Sequence, residues 1–359
     1  MLLFDLERNF VFLLILSLSD ALPTSSRIRP TRTALLPTTS PAYLPSFPAS
    51  RSTTSQPTGP LLRKPLNLGH YPPLWAAPDT RHPEVQRAIR SIDWTHVPRF
   101  LPRPPQGDAS YDDGHDPACW WSRTECTRPK QAYLPEDIAY CESPRDFGLT
   151  YDDGPLNPRD ANDTWGEPQL YDFLATHNQT ATLFYVGSNV VSFPQAAQRA
   201  IQSGHTLCVH TWSHPQMTTI SNEMIVAELY WTLRAIKQAT GVTSRCWRPP
   251  FGDVDDRVRA IAHQMGLRTI LWNSDSFDWK LPSVANDYQG TFDDLTVDRF
   301  FQAWIDRPLP LHGRLVLEHE TSDKTIQMSE KWLPILKNTF EVKRVHDCVP
   351  LLSSPYWES

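Results

Sequence analysis

No Cys-x-x-Cys spacing occurs among the six cysteines of this 359-residue chain, so the compact redox and zinc-ribbon motifs are missing. No apolar run is long enough to span a membrane. The one near the start, Phe10 to Leu18, has signal-peptide dimensions, although Asp5 and Glu7 outweigh Arg8 ahead of it. No apolar tail stands near the C-terminus, so no lipid-anchor signal is expected there. A basic excess is also lacking from the larger part of the chain. Residues 106–359 carry a net charge of −12 within a total of −6, which argues against nucleic acid as partner.

What is present is unevenly spread. Of 34 prolines, 17 fall between residues 22 and 105, a stretch with a net charge of +8. Residues 1–21 read as a signal peptide, cleaved or retained as an anchor, and residues 22–70 as a disordered, Pro/Ser/Thr/Arg-rich arm that cannot bury enough apolar surface to order itself. Two sequons, at Asn162 and Asn178, and the even number of cysteines favour an oxidising, extracellular or cell-wall setting. Residues 71–145 form a cysteine-containing lead-in that packs on the domain spanning residues 146–350. Within the lead-in Val85, Ala88, Ile89 and Ile92 share one helical face.

From residue 146 to 350 strand-like and helix-like segments alternate. Strands are expected at 147–151, 181–187, 205–209, 244–247, 268–273, 314–318 and 341–346. Helices are expected at 166–177, 194–203, 221–240, 254–265, 295–305 and 325–338, with Ser221 and Gly241 bracketing the longest. Repeated βα units of this kind imply an α/β fold with a parallel sheet, most simply an irregular (β/α) barrel of seven to eight units. Such barrels build their sites at the C-terminal ends of the strands.

Reactive side chains cluster at those ends. The first strand runs into Asp152-Asp153-Gly154-Pro155, and paired acids repel unless they hold different jobs or a cation. The third runs into His210-Thr211-Trp212-Ser213-His214-Pro215, two histidines that could face one way across a helical turn. With Asp153 they make a two-histidine, one-carboxylate set that leaves coordination positions open, as a catalytic zinc requires. Arg248-Pro249-Pro250-Phe251 follows the fourth strand, where stiff prolines would hold a guanidinium able to pair a carboxylate. Asp275-Ser276-Phe277-Asp278-Trp279 and His319-Glu320 end two later strands. Taken singly, each could be a plain turn or a structural residue. Together they form one constellation. The similar Tyr111-Asp112-Asp113-Gly114 has no strand before it and reads as a loop.

These five stretches resemble, in order, the five motifs of the polysaccharide deacetylases, the NodB-homology enzymes of carbohydrate esterase family 4. The lead-in, Gly204-His205 and the stretch from Arg248 to Asp253 are most similar to fungal chitin deacetylases. The resemblance implies an irregular NodB-type barrel and hydrolysis of N-acetyl groups on chitin to give chitosan and acetate. It implies a metal, Zn2+ or another divalent ion such as Co2+, held by Asp153, His210 and His214. Asp152 would be the general base, oriented by Arg248. His319 would be the general acid, supported by Asp278 with Asp275 as the other candidate. The Phe251 backbone N–H would stabilise the oxyanion, and Trp279 and Leu317 would line the acetyl pocket.

By resemblance Cys141 would pair with Cys348, and Cys119 with Cys126 would close a local loop. The state of Cys208 and Cys246 stays open. Tyr151 stands where the family usually has Phe, and Glu320 where many members have Asp. Residues 280–294 are the candidate for one wall of the cleft. The expected partner is chitin or another N-acetylglucosamine polymer, bound by a monomeric protein. Peptidoglycan or acetylxylan is the alternative substrate, and a non-catalytic glycan-binding wall protein the alternative class.

Overall fold

A computed structural model describes residues 37, 39–47, 64–156, 167–283, 289–307, 309–349 and 354–358. The expected signal segment, Asn162 and residues 284–288 of the expected cleft wall lie outside the described residues. Among the described residues no helix is long and apolar enough to cross a membrane.

Among the described residues nine strands form one sheet: β1 (Asp146–Gly148), β2 (Thr150–Gly154), β3 (Thr182–Tyr185), β4 (Thr206–Val209), β5 (Cys246–Trp247), β6 (Arg268–Thr269), β7 (Ser274–Asp275), β8 (Arg314–His319) and β9 (Glu341–Lys343). The order is β6-β5-β4-β3-β2-β8-β1-β9, and β7 also pairs with β8. Every pairing is parallel. The sheet closes because one stretch of chain serves both edges. β6 pairs with β5, and a few residues later β7 pairs with β8. Of the expected strand over 268–273 only residues 268–269 form β6, and β7 starts just beyond it at Ser274. Between them the carbonyls of Ile270 and Leu271 accept hydrogen bonds from the Arg248 guanidinium, at 3.4 and 3.1 Å, instead of from a neighbouring strand.

Helices form where capping residues and apolar spacing allow. The helix Asn222–Thr240 starts at Ser221, whose hydroxyl accepts from Met224 N–H, and ends at Gly241 with φ 85. Asp255, Asp293 and Ser322 cap the helices Asp256–Gln264, Asp294–Asp306 and Asp323–Leu336. Two expected strands run too long. The chain leaves β3 at Tyr185 for an unforeseen helix, Gly187–Ser192, and leaves β9 at Lys343 for the short helix Val345–Cys348. Gly187 is packed so tightly that a Cβ would fall 2.7 Å from Thr232 Oγ1, and its N–H bonds to Thr211 O instead of extending the strand.

The arm expected to be disordered over residues 22–70 is anchored where it is described. Tyr43 and Leu44 are buried, and the Tyr43 hydroxyl donates to Met265 O at 3.2 Å. Leu66 N–H donates to Val191 O at 2.9 Å. Proline-rich composition hides such anchors, because two apolar side chains set no periodicity. In the lead-in, the helix Pro83–Arg90 buries Val85 and Ala88, and Ile92 just beyond it is buried too.

All six cysteines are paired, as Cys119–Cys126, Cys141–Cys348 and Cys208–Cys246. The last pair joins neighbours β4 and β5, which settles the question that spacing left open. Cys141–Cys348 ties the chain just before β1 to the chain just after β9.

Candidate metal centre and active site

A regular strand would send Asp152 and Asp153 to opposite faces. β2 avoids this. Its register with β3 shifts between Asp152 and Gly154, and Asp153 has φ 73. Both carboxylates then reach one imidazole: His210 Nε2 lies 3.7 Å from Asp152 Oδ2 and 3.4 Å from Asp153 Oδ1. The bend needs Gly154, where a Cβ would fall 1.9 Å from Glu320 Oε1. Asn189 Nδ2 donates to Asp153 O at 2.7 Å and holds the bend from the unforeseen helix.

The two histidines do not share a helical turn. Thr211 and His214 have φ 67 and 59, so residues 210–214 form a folded-back loop. Buried Glu228 holds that loop: Oε2 accepts from Trp212 N and Ser213 N, both at 2.8 Å, and Oε1 from Ser213 Oγ at 2.6 Å. Sequence reasoning missed Glu228. The available signal was an acid set inside the apolar run Ile225–Trp231 of the helix Asn222–Thr240. His210 Nδ1 donates to Arg248 O at 2.8 Å, which leaves Nε2 as the lone-pair nitrogen turned to the acids.

Asp153, His210 and His214 can all offer a ligand atom to one point. Asp153 Oδ1 lies 3.2 Å from His214 Nε2 and 3.4 Å from His210 Nε2, yet it is buried with no hydrogen-bond partner. Ligands about 2.0–2.2 Å from a tetrahedral zinc stand roughly 3.4 Å apart, so these separations fit a cation. Burial would raise the Asp153 carboxyl, but the two facing imidazoles, His214 foremost, hold it well below the usual range. Burial likewise pulls the His214 imidazole down, and Asp153 overrides it and raises it.

Arg248 is fully buried. Its Nη1 donates to Asp152 Oδ1 and to Thr150 Oγ1, both at 2.7 Å, and its guanidinium lies 4.0 Å from the centre of the Phe184 ring. Asp152 keeps Oδ2 for the mouth of the barrel.

At the end of β8, His319 Nδ1 lies 2.7 Å from Asp278 Oδ1, and His319 N donates to Asp278 Oδ2 at 2.8 Å. Asp278, and not Asp275, is thus the imidazole's partner. Burial lowers His319, but the Asp278 charge and hydrogen bond outweigh it and raise the imidazole to about 10. Asp275 accepts from Phe277 N at 2.7 Å, and burial raises its carboxyl to about 6.

Asp152, Asp153, His210, His214, Asp275 and His319 line a cleft of about 910 Å³, together with Phe251, Trp279 and Leu317. Phe251 and Trp279 are exposed, Leu317 is buried, and the Phe251 ring centre lies 4.7 Å from that of His214. Trp121, Glu125 and Tyr140 of the lead-in also line the cleft and were not anticipated. Their placement rests on contacts between distant parts of the chain, which leave no local pattern. Asn178 is exposed with φ 49. Asp112 and Asp113 lie in an exposed turn, paired with His115 and Arg123.

A family model for polysaccharide deacetylase matches residues 139–270. The chain is 37% identical over 305 residues to a chitin deacetylase of Amylomyces rouxii, covering 82% of this chain and 69% of that protein. It is 37% identical over 314 residues to chitin deacetylase 2 of Cryptococcus neoformans var. grubii serotype A, covering 81% of this chain and 64% of that one. The chain therefore spans about two thirds of the length of these relatives. Among solved structures, the chitin deacetylase of Colletotrichum lindemuthianum superposes with a TM-score of 0.53 at 22% identity, over 62% of this chain and 96% of that one, a likeness of fold.

Proposed function

The chain belongs to the polysaccharide deacetylase family, and on that premise we propose that it is a metal-dependent hydrolase of N-acetyl groups on chitin, yielding chitosan and acetate. One observation carries this reading. The Asp153–His210–His214 triangle shares a cleft with an acid held by a buried arginine and an imidazole held by a buried acid.

Asp153, His210 and His214 would hold the ion, and zinc suits a set of two imidazoles and one carboxylate. Such an ion supplies Lewis acidity, bringing the pKa of water towards ~7 and polarising a carbonyl. The remaining chemistry belongs to the chain. Asp152 accepts the proton of the attacking water on Oδ2, while Arg248 occupies Oδ1. His319, protonated beside Asp278, donates to the departing amine nitrogen. The Phe251 N–H would stabilise the developing oxyanion, a contribution often worth ~3 kcal/mol per donor. Leu317 and Trp279 shape the space for the acetyl methyl.

The six paired cysteines support an oxidising compartment and hence a secreted or wall-associated protein. The test is mass spectrometry and acetate assay on N-acetylglucosamine oligomers, with acetylxylan and peptidoglycan fragments alongside. Acetate from the chitin oligomers in preference to the others is expected. Zinc-loaded protein that binds chitin and releases no acetate would reduce the chain to a glycan-binding role.

A further inference from the structure

The cleft has two sources of wall. The strand ends supply the reacting groups, and the lead-in supplies Trp121, Glu125, Thr127 and Tyr140. Trp121 precedes the residues matched by the family model, which begin at 139. At about 910 Å³ the cleft sits at the upper end of small-ligand sites, which run ~300–1,000 Å³, and has room beyond one acetylated unit.

Taking the deacetylase reading as its basis, we propose that the disulfide loop Cys119–Cys126 builds a sugar-binding subsite beside the reacting group. The indole of Trp121 is its stacking platform, and its occupant is a neighbouring N-acetylglucosamine unit of the same polymer.

Three observations support this. First, the indole is placed against the active-site loop. A Cβ at Gly252 would fall 2.0 Å from Trp121 Cζ3, so only glycine lets the ring lie on the backbone next to Phe251. Phe251 in turn packs on His214. Second, the loop is clamped. Trp121 N donates to Val254 O at 3.0 Å. Trp120 Nε1 and Ser122 Oγ both donate to Asp253 Oδ1 at 2.8 Å, and Asp253 Oδ2 accepts from Thr218 N and Oγ1 at 2.8 Å. A platform fixed before the ligand arrives loses little conformational freedom on binding. Third, the chemistry suits a pyranose. The Trp121 ring is half-buried, with its centre 4.5 Å from that of Trp272 and the two planes at 65°, so Trp272 braces the indole that would take the C–H face of a sugar. Exposed Glu125, with φ 56, and Thr127 put polar groups at its rim for hydroxyl and amide groups.

The test is steady-state kinetics on N-acetylglucosamine oligomers, dimer through hexamer, for wild type, Trp121→Leu and Trp121→Phe, with metal content measured for each. Leucine keeps apolar bulk against Trp272 and removes the aromatic face; phenylalanine keeps the face. KM for the longer oligomers should rise about tenfold in Trp121→Leu, the scale of one aromatic stacking contact, with kcat changed less than about threefold and full metal content. Trp121→Phe should recover most of the loss. Unchanged KM at every length, or a fall in kcat with KM unchanged, overturns the proposal. Should wild type release no acetate from any oligomer, the deacetylase reading fails by itself. Calorimetric binding of the hexamer to wild type and Trp121→Leu then still decides the platform: equal affinities overturn it.

Discussion

Arg248 Nη1 and Asp152 Oδ1 stand 2.7 Å apart with almost no solvent on either side chain. The arginine comes from the loop after β5 and the acid from β2, which are not neighbours in the sheet. The pair spans the barrel interior and reserves the second oxygen of Asp152 for the cleft. It also separates the work of two adjacent acids. Asp152 is paired to a cation of the protein, whereas Asp153 faces the two histidines.

That separation predicts distinct phenotypes. Asp152→Asn keeps the shape but removes the proton acceptor, and turnover should fall by roughly 10²–10⁴ with metal content unchanged. Asp153→Asn should lose metal as well as turnover. Metal analysis beside acetate release checks both, and loss of metal from Asp152→Asn would contradict the split.

Removing the guanidinium should be costly. In Arg248→Met the Asp152 carboxylate stays buried without its cation, a change that typically destabilises by about 3–5 kcal/mol. Arg248→Lys keeps a charge but cannot also serve Thr150 and the Ile270 and Leu271 carbonyls, so it should recover only part of the stability. Denaturant unfolding measures this, and a loss below about 1 kcal/mol in Arg248→Met would refute the buried-pair account.

His319 gives a pH prediction. Its imidazole is raised from 6.5 to about 10 against the pull of burial, chiefly by Asp278. A raised histidine contributes stability that is complete below pH 6.5 and lost as pH climbs through about 10. A bound divalent cation acts the other way and brings the value down. In Asp278→Asn the support is gone, the imidazolium deprotonates earlier, and the alkaline limb of kcat should move to lower pH. A kcat–pH profile that keeps its alkaline limb would exclude Asp278 as the support.

Chelation should abolish acetate release and lower the melting temperature, and added zinc should restore both. An ion present at 100 times its dissociation constant stabilises the folded state by about 2.7 kcal/mol. Calorimetry with and without chelator reads the shift, and equal melting temperatures would mean that the Asp153–His210–His214 set holds no ion.

Gly154→Ala tests the bend between the acids. The added methyl meets Glu320 and the Tyr185 ring in a buried place, and overpacking of this kind costs about 1–3 kcal/mol. Metal affinity should fall with stability, because Asp153 precedes the bend directly. Titration with zinc against unfolding data checks whether the two move together.

Much of this was legible locally. Asp152-Asp153 at a strand end, the spaced histidines and the arginine before two prolines are features of a few residues each, and β4, β5 and β8 fall on the expected segments 205–209, 244–247 and 314–318, whereas the expected 147–151 divides between β1 and β2. Local patterns mislead where distant groups intervene. Arg248 takes the carbonyls of Ile270 and Leu271 and cuts a strand short, Gly187 meets Thr232 and turns the chain into a helix, and Glu228 folds the histidine loop that spacing made look helical. Tyr43 and Leu44 anchor an arm whose composition promised none.

The sequence by itself determined the βα alternation, the residue types at the strand ends and the family, because hydrophobic period, turn chemistry and motif spacing are local properties. The tertiary structure decided which oxygen of Asp152 is free, which aspartate supports His319, how Cys208 and Cys246 pair, and that a loop closed by Cys119 and Cys126 lays a tryptophan along the cleft. Each of these depends on two groups distant in the chain meeting within a few ångströms, and only the closed barrel sets that distance.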